Sequence, residues 1–161
     1  MKINRFAFQN NHLEIEDDVD FSLAKFDENH IRKINNTHVK VKGTEYDEII
    51  CLELDITTDV IGVCSYTLED VPLHLHFKDS LEFSNDIDDD DEIIYVDKPI
   101  FDIDEYILQL IIGEVPIKIV KKGAKLPESG SDYRVISEDE YLQEKSEKKD
   151  DRWSKLDDVE L

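Results

Sequence analysis

The sequence predicts an α+β domain: mainly antiparallel β-sheet, one packed amphipathic helix near 102–114, and a charged C-terminal tail. Three observations predict it. Apolar and polar residues alternate with period two through much of 39–83, the signature of strands with one buried face. Ile103, Tyr106, Ile107, Leu110 and Ile111 recur at helical spacing and form one apolar stripe. From Glu138 to Lys149 only Tyr141 and Leu142 are apolar, too little to build a core. The expected organisation is a single domain over 1–136 followed by a partly helical tail over 137–161.

In chain order, residues 2–8 alternate loosely and read as a strand, and 20–26 as a short helical turn. Val39 and Val41 face one way, and His38, Lys40 and Lys42 the other. Gly43 and Asp47 bracket the expected turn. Ile50, Leu52, Leu54 and Ile56 then share a face opposite Cys51, Glu53, Asp55 and Thr57. A bulge or bend near Val60 to Val63 is expected, because Ile61 and Val63 fall out of that phase. Residues 71–83 form the cleanest strand: Val71, Leu73, Leu75, Phe77, Leu81 and Phe83 alternate with Pro72, His74, His76, Lys78, Ser80 and Glu82. Pro72 suits an edge or a strand start. Residues 85–92 are mostly aspartate and read as an acidic loop, and 93–96 return to strand. Asp102 and Glu105 make a capping box for the helix, and Pro116 limits its far end. Residues 121–132 read as a loop, and Ser137 with Glu140 as a second capping box.

Composition excludes several classes. The formal net charge of −21 over 161 residues repels polyanions and argues against simple nucleic-acid binding by the whole chain. Two cysteines make no disulfide framework. No run approaches the ~18 apolar residues of a membrane helix, and the first residues lack the apolar stretch of a signal peptide. The expected setting is the cytoplasm, with no membrane partner.

No catalytic constellation emerges. Asp86, Asp88 and Asp90 have calcium-loop spacing, but Asp91 stands where the turn needs glycine and Asp97 where a bidentate glutamate belongs. His74 and His76 share a strand face without a visible third ligand. Cys64 has no His or Asn at a nucleophile's spacing. Neither a cofactor nor a metal is expected. What interrupts the acidic background is two basic islands: Arg32, Lys33, His38, Lys40 and Lys42, then Lys118, Lys121, Lys122 and Lys125. They are candidates for RNA phosphate or for an acidic protein patch, and the expectation is that they converge on one side of the domain. Arg152 and Trp153 are further candidates, with Trp153 and Leu156 anchoring the chain end on the domain or on a partner.

Several blocks carry a resemblance. They are Val39-Lys40-Val41-Lys42-Gly43, the run from Cys64 to Leu73, Ile93-Ile94-Tyr95-Val96, the helix with Val115-Pro116-Ile117-Lys118, and Asp151-Arg152-Trp153-Ser154-Lys155-Leu156. In order and spacing the chain resembles the large ribosomal RNA subunit accumulation proteins, the YceD-like group. That resemblance implies a role in accumulation or processing of large-subunit ribosomal RNA, without a known catalytic activity. The chain departs from the group at Thr67, where a second cysteine often completes Cys-x-x-Cys, and at Lys121 to Ala124, where further cysteines often stand. A cysteine-bound zinc is therefore not expected. The function expected is that of a non-enzymatic ribosome-biogenesis factor touching ribosomal RNA or a ribosomal protein. The alternative is an acidic adaptor that binds a basic partner.

Overall fold

The computed structural model describes residues 1–26, 30–46, 49–86 and 93–147. Its strands are β1 (Lys2–Asn4), β2 (His12–Val19), β3 (Ile31–Tyr46), β4 (Ile49–Val63), β5 (Asp70–Ser84), β6 (Ile93–Tyr95) and β7 (Ile100–Asp102); its helices are α1 (Asp104–Glu114) and α2 (Glu138–Glu147). The protein is α+β. It divides into two units, Met1–Lys121 and Lys122–Leu161.

The first unit holds a five-stranded sheet in the order β2-β3-β4-β5-β6 and a small pairing of β1 with β7. β2 to β5 run antiparallel, and only β6 lies parallel to its neighbour, along Glu82 to Ser84. One face is apolar. Val39, Val41, Ile50, Leu52, Leu54, Ile56, Val60 and Phe83 belong to one buried cluster with Ile3 and with Ile103, Ile107 and Ile111 of α1. The stripe read from the helix is thus the face it buries, with Tyr106 meeting Phe83 edge-on at 5.5 Å between ring centroids.

Several sequence expectations are corrected. Gly43 is not in a turn: β3 runs on to Tyr46, which pairs with Ile49. A side chain at Gly43 would come within 2.9 Å of the Phe8 ring, so glycine serves that close approach. The expected bulge in β4 is absent, since its register with β5 is unbroken from Ile49↔Ser84 to Val63↔Asp70. The irregularities sit on β3 instead, between Ile31 and Lys33 and between Ile34 and Thr37. Thr58 keeps the buried phase because its hydroxyl shares a 2.8 Å hydrogen bond with that of Thr37, which leaves no buried polar side-chain atom unsatisfied among the described residues. Residues 2–8 give only three strand residues before a 3-10 turn at Arg5–Ala7. Residues 20–26 hold the expected turn, where the Ala24 N–H donates to the Phe21 carbonyl at 3.0 Å. α1 begins at Asp104, with Ile103 at the cap and no capping box; Asp102 accepts the Asp104 N–H at 3.0 Å from one residue further out.

In the second unit, α2 has the reciprocal cap read from the sequence. The Ser137 N–H donates to Glu140 Oε2 at 2.9 Å and the Glu140 N–H to Ser137 Oγ at 3.1 Å. Most of the acidic loop (87–92) and the residues Arg152, Trp153 and Leu156 lie outside the described residues.

Candidate nucleic-acid interface

The second face of the sheet is polar, and its charges are sorted by strand. β2 presents Glu14, Glu16 and Asp18; β3 presents His38, Lys40 and Lys42; β4 presents Glu53, Asp55 and Asp59; β5 presents His74, His76 and Lys78. Antiparallel pairing sets each basic residue beside an acidic neighbour. Lys40 lies 3.2 Å from Glu16 and pairs in register with Asp55; Lys42 lies 3.9 Å from Glu14 and opposite Glu53. Lys78 and His76 both reach Asp55, at 3.0 and 2.8 Å, and His74 meets Asp59 at 2.7 Å. Such opposite-charge cross-strand pairs favour this register over one that opposes like charges.

His38 is the most constrained of these groups. Its Nδ1 faces Asp18 at 2.7 Å and its Nε2 faces Glu16 at 2.9 Å. Both partners are acceptors when ionised, so the doubly protonated ring satisfies both bonds. The Asp18 bond, and then the Glu16 bond, raise the His38 pKa above its ordinary 6.5. Lys40 first, and His38 second, lower that of Glu16. Lys78, followed by His76, lowers that of Asp55.

Within the first unit the basic islands meet only in part: Arg32 shares one end of the sheet with Lys118 and Lys121, and His38, Lys40 and Lys42 do not. Lys118 lies 5.9 Å from the centre of the Tyr66 ring, and Lys121 pairs with Glu69 at 2.9 Å. Both belong to a segment bound to the 64–69 turn, where the Ser65 N–H donates to the Ile119 carbonyl at 2.7 Å. Arg32 reaches the same end of the sheet through Asp70, at 3.6 Å. Ile119 packs beside Gly62, whereas His38 pairs with Thr57. Roughly five residues of strand separate these points, about 17 Å, and Lys40 and Lys42 lie further still. Lys33 is exposed and lowers the Asp20 pKa by its charge, a smaller cause than the Ser22 hydrogen bonds. Lys122 and Lys125 are exposed in the second unit.

The acidic row of β2 escaped the sequence reading. Its signal was the alternation of His12, Glu14, Glu16 and Asp18 with Leu13, Ile15 and Val19, interrupted by Asp17.

The family description "Large ribosomal RNA subunit accumulation protein YceD" matches residues 52–160. The chain belongs to the YceD family. It is also 33% identical over 119 residues to "Uncharacterized protein YlbN" of Bacillus subtilis (strain 168), covering 68% of each chain. No solved structure matches it. Family membership carries a ribosome-related role. Among the described residues of this YceD-family chain, no group of three or more His, Cys, Asp or Glu side chains is arranged to hold a metal ion, and no helix is long and apolar enough to cross a membrane. At the turn where the group often has paired cysteines, Cys64 is buried. The Lys121 N–H donates to its sulfur at 3.4 Å. That bond first, and the Thr67 hydroxyl next, lower the thiol pKa to about 7.

Proposed function

We propose that the protein acts without catalysis to support accumulation or processing of large-subunit ribosomal RNA. Membership of the YceD family over residues 52–160 carries this reading. The polar sheet face supports it by offering a surface suited to binding rather than to chemistry. Among the described residues the charged groups there bond one another across strands on an exposed face, and none is enclosed with a nucleophile. Depleting the protein from cells and quantifying mature and precursor ribosomal RNA tests the reading. A selective fall in large-subunit RNA relative to small-subunit RNA is expected; an equal fall in both, or no change, refutes it.

One observation favours a second reading of how it does so. The lysines of the sheet face each have a carboxylate within reach or in register, so a phosphate would have to displace a neighbour that is already bound. The acids of β2 are paired as well, but among the described residues Glu14, Glu16, Asp18, Glu53, Asp55 and Asp59 face only the lysines Lys40, Lys42 and Lys78 with three histidines, so a basic protein meets an excess of carboxylate on this face. In this reading the partner is a cationic protein and the effect on RNA is indirect. Cross-linking in cells separates the two: RNA recovered on Lys40 or Lys42 supports direct contact, and protein recovered on Glu14 or Asp18 supports the adaptor.

A further inference from the structure

We propose that the outer edge of β2 docks an extended segment of a partner protein in which Lys or Arg alternates with β-branched apolar residues. The inference rests on the reading of a cationic protein partner and names the surface and the shape of the ligand.

β2 is the terminal strand of its sheet. The local hydrogen bonds reveal which of its backbone groups face away from β3. The His12 N–H donates to the Gln9 carbonyl at 3.0 Å and the His12 carbonyl accepts from Gln9 at 2.9 Å, an isolated bridge on the outer side. Outward residues alternate along a strand, so Glu14, Glu16 and Asp18 turn the same way as His12. The Asp18 N–H agrees with this by donating not to β3 but to Asp17 Oδ1, at 2.9 Å. The N–H and C=O of Glu14 and Glu16 therefore have no strand partner among the described residues. Such an edge is a template for an added strand. Gln9 closes one end of the slot and leaves Leu13 to Val19 open.

The side chains specify what fits. On one face Glu14, Glu16 and Asp18 are exposed, Asp18 at 84%. On the other Leu13, Ile15 and Val19 are only partly buried and pack against the core, with exposed Asp17 interrupting the row between Ile15 and Val19, where a further cation fits. An added strand sets its own alternate side chains beside these two rows. Cations beside the acids and β-branched residues beside the apolar row satisfy both, and only an alternating segment does so. A second copy of this chain does not fit in a β2–β2 pairing, since that opposes like charges and each chain carries −21. Towards the opposite edge of the sheet, β5 carries Pro72, His74, His76 and Lys78, which disfavours a cationic strand there.

The test uses the full chain and two labelled synthetic peptides of identical composition, one alternating Lys and Val and one with the lysines and valines in blocks. The alternating peptide should bind at least about tenfold more tightly, shift the Glu14 and Glu16 amide resonances, and lose affinity when its alternate backbone nitrogens are methylated. Glu14→Pro removes an outward N–H without costing a β2–β3 bond, so it should abolish binding while the thermal melt is kept. If that variant melts early, the methylated peptide on the unaltered chain decides instead. Equal binding of the two isomers, insensitive to methylation, overturns edge docking but leaves a cationic partner in place. No binding of either peptide at low salt overturns both.

Discussion

His38 shows how much of this molecule is settled by single neighbours. A ring held between two carboxylates keeps its second proton longer than a free histidine, while Glu16 loses its proton sooner. The raised His38 value contributes stability that is complete below 6.5 and is lost as pH rises through the folded value. The lowered Glu16 value contributes stability that is complete above 4.5 and is lost as pH falls through the folded value. The pair is therefore strongest between 4.5 and 6.5. Both groups are solvent-exposed, so the effect on the melt is small and the resonances are the better probe. An NMR titration should place the His38 midpoint above 6.5 in the native chain and return it toward 6.5 in the Glu16→Gln, Asp18→Asn double variant. A midpoint indifferent to that double change would mean the ring does not sit between the two acids in solution.

Among the elements, α1 is the one on which the sheet's apolar face depends most visibly. Ile107 is fully buried at the middle of the stripe, with Ile103 and Ile111 a turn away on either side. Ile107→Ala should cost about 2–5 kcal/mol, and Ile107→Asp more, because the carboxylate has no partner there. Leu110→Asp should cost less than Ile107→Asp, since Leu110 is only partly buried. Chemical denaturation of the three variants checks the order, and a Leu110 variant as damaged as the Ile107 one would show that the helix is rotated. The helix was legible because its periodicity is local, and α2's cap for the same reason. Strand phase was legible on β5 and on the middle of β3. The cap of α1 is equally local and was misread, since Asp102 belongs to β7 and accepts from one residue further out. Much of the rest that could not be read depends on a partner strand. Gly43 looked like a turn until Phe8 lay across it, and the irregularity expected on β4 stands on its partner β3. The candidate site followed the same division. That His38, Lys40 and Lys42 share a face follows from alternation alone. That Glu14, Glu16, Glu53 and Asp55 flank them follows from register, set by the unbroken ladders from Thr37↔Thr58 to Tyr46↔Ile49 and from His12↔Thr44 to Val19↔Thr37.

At the scale of the whole chain two electrostatic effects oppose each other, and salt separates them. The cross-strand pairs on the sheet face attract, and salt weakens them. The net charge of −21 repels itself, and salt relieves it. Exposed pairs are each worth about 0–1 kcal/mol, and several of these, such as Lys42 with Glu14 at 3.9 Å, are loose. Self-repulsion acts among all the uncompensated carboxylates at once, over a screening length of about 30 Å at 0.01 M salt. Of the two effects, repulsion is the stronger. The melting temperature should therefore rise by several degrees between about 0.01 M and 0.3 M sodium chloride, where screening shortens to several ångströms. The Lys40→Gln, Lys42→Gln variant should show a steeper rise, since it is two charges more negative and lacks two of the attractive pairs. A melting temperature that falls with salt would mean that the strand-sorted rows, not the net charge, dominate the electrostatics of the folded chain.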